Sequence, residues 1–168
     1  GIPVAYFACN AGMSKCVLGT NRDNPQKEMP CKSCVMQSKA LYAGVQAEGQ
    51  KRRPELAEGS KVGWFEFQRD SELISRISLL SVPELSIFHF QDLPLGALCL
   101  PGLRWVLRIH HLNDDEDTRY LLREYILSAW NVVQKFSDFL DRIQPRAVVV
   151  FNGQFFPEAT ARYVAQKR

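Results

Sequence analysis

No apolar run in these 168 residues approaches the ~20 that a bilayer-spanning helix needs, so the expected molecule is a globular, cytoplasmic chain in water. Charge is nearly balanced: 21 basic against 18 acidic residues leave a formal +3, too mild to point to nucleic acid. Peripheral membrane association finds no support either, and nothing sets an oligomeric state. Histidine is scarce. His89, His110 and His111 form no ligand spacing, and neighbours on a helix point about 100° apart, so His110 and His111 cannot easily face one ion. Gly12 and Gly19 fit neither the P-loop nor the dinucleotide fingerprint, and there is no Gly-x-Ser-x-Gly elbow. Any cofactor pocket built on such motifs lies elsewhere. The start, Gly1-Ile2-Pro3-Val4, carries no methionine, and its first apolar run is too short and uncharged for a signal peptide; the expectation is an excised piece.

What the chain does have is core material and thiols. An apolar fraction of 46%, with 10 Phe and 3 Trp, suffices for one domain over residues 1–168. Four of the five cysteines fall within the first 34 residues, in the pattern Cys9-x6-Cys16-x14-Cys31-x2-Cys34. The last pair has the gap that lets two thiolates face one tetrahedral ion, and four sulfurs are the ligand set of closed structural zinc sites. The six-residue gap of the first pair is less usual. Zinc therefore stands only slightly ahead of free thiols, with disulfides last in a chain lacking a secretion signal.

Read along its length, "IPVAYFAC" is a short buried strand candidate that stops at Cys9-Asn10-Ala11-Gly12. From about 9 to 36 the text is loop-like, rich in Gly, Asn, Asp, Ser and Pro, and a loop this long needs a function or a clamp. "CKSCVMQSKALYAGVQAEG" has a helical rhythm with Val35, Ala40, Leu41 and Val45 inward and Gly44 or Gly49 near its end. "KVGWFEF" reads as a second strand. The basic cluster "QKRRPE" belongs to a first third, residues 1–61, that holds nine Lys/Arg against five Asp/Glu. Pro83, Pro94 and Pro101 cut the next stretch into short turns, with a brief helix expected over Leu103–His111, and Asp92 is a turn acceptor or a general base.

The clearest helix spans about 114–143, with Leu122, Ile126, Ala129, Val133, Phe136, Leu140 and Ile143 on one stripe. Asn113 or Asp114 caps it, "DED" suits its positive end, and Pro145 stops it. "RAVVVF" lacks polar alternation, as a parallel strand covered on both faces does, and Pro157 opens another helix. Together these segments predict an α/β fold: a Rossmann-like parallel sheet flanked by helices, incomplete as a domain. Ligands in such sheets gather beyond the carboxyl ends of strands. That places Asn10 at one strand end and Asn152, Gly153 and Gln154 at another as candidate binding residues. Gly153 permits a positive φ, and the amides can bond hydroxyls.

"FQDLPLGALCLPGLRWVLR", the acidic helix start, the long helix and "PRAVVVFNGQFFPEATARYVAQKR" resemble the amino-terminal half of bacterial capsule-polysaccharide-type glycosyltransferases of the two-domain B-type fold. "GIPVAYFACNAGMSKC…CKSC" is similar to their second strand and cysteine-containing loop. The resemblance implies a sugar or glycan acceptor held by this chain and a nucleotide-sugar donor gripped mainly by a carboxy-terminal domain outside it. It carries over Asn152, Gly153 and the Pro157-Glu158 helix start, while Gln154 stands where Arg is frequent. It also implies that this half alone is inactive, and no residue is assignable as the base. Two alternatives stay open: a non-catalytic zinc-clamped binding module, and part of a sugar-nucleotide epimerase-like enzyme.

Overall fold

A computed structural model describes residues 4–52 and 61–168. The chain is mixed α/β. Strand β1 (Ala5–Cys9) runs parallel to β2 (Lys61–Phe65), in register from Ala5 opposite Lys61 to Cys9 opposite Phe65. A helix, α1 (Cys31–Arg52), lies between them in sequence. Among the described residues these two strands are the whole sheet.

Side chains alternate across a strand, so the pair has two different faces. On one, Phe7 stacks on Phe65 with centroids 4.3 Å apart and leans on Phe136 and Phe139. Gly63 makes this approach possible, because a Cβ there would stand 2.6 Å from the Phe139 ring. On the other face Tyr42 of α1 meets both Tyr6 and Trp64. The β-branched and aromatic content that predicted these strands is thus what joins them to helices on either side.

The remaining helices are α2 (Ser71–Ile77), α3 (Val82–Ser86), α4 (Leu95–Leu107), α5 (Glu116–Ile143) and α6 (Glu158–Gln166). Asp70 caps α2 by accepting from the Leu73 amide, and Ser81 with Glu84 forms a capping box on α3. Helix α5 is the spine. Its cap is Asp115, which accepts from the Thr118 amide at 2.8 Å, one residue past the expected position; Asp114 instead accepts from the Val82 amide and pairs with Arg119. The predicted stripe is buried, apart from half-buried Ile143, but burial runs without a break from Tyr125 to Val133. Those residues are covered on all sides, and each large apolar side chain among them contributes about 1.5–3 kcal/mol.

Three expectations are corrected. Pro101 does not divide its segment: α4 runs through it, because Leu95, Cys99, Leu103 and Val106 form a fully or nearly fully buried stripe whose packing outweighs one missing backbone hydrogen bond. Leu103–His111 is therefore the end of a longer helix, which stops at Arg108 in a left-handed cap. In α1, Ala40 and Leu41 face solvent and Tyr42 turns inward, and the helix passes Gly44 rather than ending there. The side chain of Val45 and much of the 50–55 basic cluster lie outside the described residues. Finally, residues 147–151 are not a strand. Val149 and Phe151 are 95% and 84% exposed, and among the described residues no strand pairs with this apolar segment.

Candidate functional site

The loops leaving β1 and β2 meet over α5. The amide nitrogen of Asn131, a fully buried residue, donates to the carbonyls of Gly12 (2.9 Å) and Glu66 (3.0 Å), and its oxygen accepts from the Gln68 amide. One turn earlier, Ser128 Oγ accepts from the amides of Ser14 and Lys15 and donates to the Glu124 carbonyl. Tyr125 donates to Thr20, and Glu124 accepts from the Ser14 hydroxyl. A polar row on one helix therefore holds both strand ends. The loop's order, for which the sequence suggested a metal clamp, rests in its first half on this row. None of these roles was read from the sequence; the only signal was Ser and Asn inside the most apolar part of a long helix.

At the strand ends themselves, the Asn10 side-chain amide donates to the Glu66 carboxylate at 2.6 Å, with Glu66 exposed and Asn10 half-exposed. The Asn10 backbone amide also donates to the Phe65 carbonyl at 2.8 Å, continuing the sheet pairing one residue further. Asn10 thus stands where predicted, beyond the carboxyl end of a parallel strand. Glu66 was missed, although its position directly after "KVGWF" made it readable. The pair presents carboxylate oxygens beside amide donors, which suits a hydroxyl that must both donate and accept.

The second predicted group sits in a turn. Asn152 and Gly153 both have left-handed backbones (φ 62° and 68°), and Asn152 Oδ1 accepts from the Gln154 amide at 3.1 Å. Asn152 and Gln154 are exposed and Gly153 is buried, close to the Arg162 side chain. Pro157 caps α6 without a side-chain hydrogen bond, and burial raises the Glu158 carboxyl above its ordinary value, partly offset by its own backbone amide. Among the described residues no hydrogen bond links this turn to Asn10. A groove of about 640 Å³ opens between the end of α5, residues 145–150 and α6, with Arg146, Arg162 and Arg168 on its walls; Arg168 is paired with Asp141.

Asp92 and the histidines resolve simply. Gln91 and Asp92 are the two left-handed central residues of a tight turn closed by reciprocal Phe90–Leu93 hydrogen bonds. His110 and His111 are exposed and stack edge to face beyond α4. No described helix is long and apolar enough to cross a membrane.

All five cysteines are free thiols. Cys9 ends β1, Cys16 sits in the loop, and Cys31 and Cys34 occupy the first turn of α1. Burial raises the Cys9 and Cys16 thiols, backbone amides of Gly12 and Gly19 lower them, and the charges of neighbouring cysteines raise them again. For Cys31, burial comes first, then Cys34 and Glu28, with Lys15 acting in the opposite direction. Cys99 lies in the core, and burial alone pushes its thiol far up.

The chain matches no family model, no curated protein and no solved structure.

Proposed function

We propose that this chain is the acceptor-side domain of a two-domain glycosyltransferase of cell-surface or capsular polysaccharide synthesis, with the nucleotide-sugar donor held mainly by another domain. The observation that carries the reading is the Asn10–Glu66 pair, a solvent-facing amide and carboxylate bonded across the carboxyl ends of two parallel strands. An acceptor hydroxyl docked there would donate to Glu66 and accept from Asn10. Glu66 would then take the hydroxyl proton as the oxygen attacks the sugar carbon and the nucleoside diphosphate leaves. A wider Rossmann-like sheet belongs to the same proposal. Its support is the parallel pairing of β1 and β2 with a helix between them in sequence, the unit from which such sheets are built.

Saturation-transfer NMR with a panel of neutral and acidic oligosaccharides tests it on this chain. We expect weak binding by at least one oligosaccharide, lost in Asn10→Ala and Glu66→Gln, and no comparable signal from a nucleotide-sugar alone. Absence of transfer to every oligosaccharide, or binding that ignores both substitutions, overturns the reading.

The sequence pattern of four cysteines within the first 34 residues favours one competing reading, a non-catalytic metal-clamped binding module. It predicts the same fold with no glycan binding at Asn10.

A further inference from the structure

We propose that Cys9, Cys16, Cys31 and Cys34 bind one zinc ion as a tetrathiolate centre that joins β1, the 10–30 loop and α1. The site stands apart from the acceptor reading, and metal content and glycan binding are read in separate experiments.

Hydrogen bonds tie the loop cysteine to the start of α1, while Cys9 ends the strand that leads into the same loop. The Cys16 amide donates to Met29 Sδ at 3.2 Å, and the Met29 carbonyl accepts from the Cys31 amide at 2.8 Å, which ties the loop cysteine to the start of α1. Lys15 reaches across the same loop to donate to the Lys27 carbonyl at 2.7 Å. Cys31 and Cys34 lie three residues apart on a helix and so share one side of its first turn.

Two of the sulfurs already accept backbone hydrogen bonds. The Gly12 amide donates to Cys9 Sγ at 3.1 Å and the Gly19 amide to Cys16 Sγ at 3.2 Å, each from three residues further on. This repeated turn aims N–H dipoles at positions where negative charge would sit on a metal-bound sulfur. Four thiolates around a divalent cation leave two net negative charges. Lys15, only 5% exposed and bonded to the Lys27 carbonyl, places a buried cation on the residue next to Cys16.

As the side chains stand, among the described residues no three His, Cys, Asp or Glu groups are close enough to share an ion. Closure requires the sulfurs to swing inward. Cys34 is exposed and Cys31 half-exposed, so neither is held by core packing. Each thiol loses its proton on binding, so zinc uptake releases protons and strengthens as pH rises.

The test uses the whole chain purified under reducing conditions. Elemental analysis should find about one zinc per chain, and cobalt substitution should give the intense visible bands of tetrahedral sulfur coordination. Cys31→Ser/Cys34→Ser should lose the metal, while Cys99→Ala keeps it. If the double variant fails to fold, the cobalt spectrum of the unaltered chain decides alone. Zinc-free protein that gives the pale spectrum of octahedral cobalt, equal metal content in the double variant, or a brown chromophore with acid-labile sulfide each overturns the proposal.

Discussion

The side-chain nitrogen of Asn131 lies 2.9 Å from the carbonyl oxygen of Gly12, a residue 119 positions earlier, and 3.0 Å from that of Glu66. One buried amide thereby satisfies the backbone of both strand-end loops. Replacing it by Leu should leave two carbonyls and the Gln68 amide without partners, each at a cost of about 1–3 kcal/mol. Urea unfolding of Asn131→Leu should show at least ~3 kcal/mol lost, although the substitution is apolar and similar in size. A loss below ~1 kcal/mol would mean that water replaces the amide.

Glu158 supplies a prediction with a definite sign. Burial raises its folded-state pKa, so the native chain holds the proton more tightly than the unfolded chain does. Its favourable contribution is full below the unfolded carboxylate pKa and declines as pH rises through the folded value. Glu158→Gln should therefore be more stable than the parent at pH 7 and no more stable near pH 4. Melting temperatures at the two pH values check this.

Asn152 combines a binding role with a conformational one. Its left-handed backbone, which non-glycine residues other than Asn and Asp adopt at a cost of about 1–2 kcal/mol, and its bond to the Gln154 amide both contribute to the turn. Asn152→Ala should lower stability by about 1 kcal/mol, whereas Asn152→Gly should restore the backbone. If Asn152 also contacts acceptor, both variants weaken oligosaccharide binding. Binding that recovers in the Gly variant assigns the residue a conformational role only.

Pro101 sits inside α4 on its exposed side. An interior proline costs roughly 3 kcal/mol relative to alanine, so Pro101→Ala should stabilise the chain by 1 kcal/mol or more. An unchanged denaturation midpoint would show that the helix is already bent to fit the ring.

These particulars show what the sequence made legible. Helix α5 was readable because its apolar period persists over many turns, and both strands because short aromatic and β-branched runs are bounded by turn residues. Asn10 was readable from its place just after such a run. Leu41 and Val149 were misread for the same underlying reason: an apolar side chain predicts burial only when another element is present to cover it. Pro101 does not break α4 because the buried stripe of Leu95, Cys99, Leu103 and Val106 outweighs the local backbone preference. Ser128 and Asn131 gain their roles from pairings across more than 60 positions, and no local pattern encodes those.

Ser128 and Asn131 are three residues apart on a helix of 28 residues, roughly 42 Å of rigid rod. Both loops hang from that one turn, so their spacing is fixed as in a caliper set to a single gauge. On the proposed acceptor role, a hydroxyl docking at Asn10 and Glu66 would be fitted by side-chain rotation and not by loop opening. Ligands of the wrong girth would be refused without the molecule changing shape.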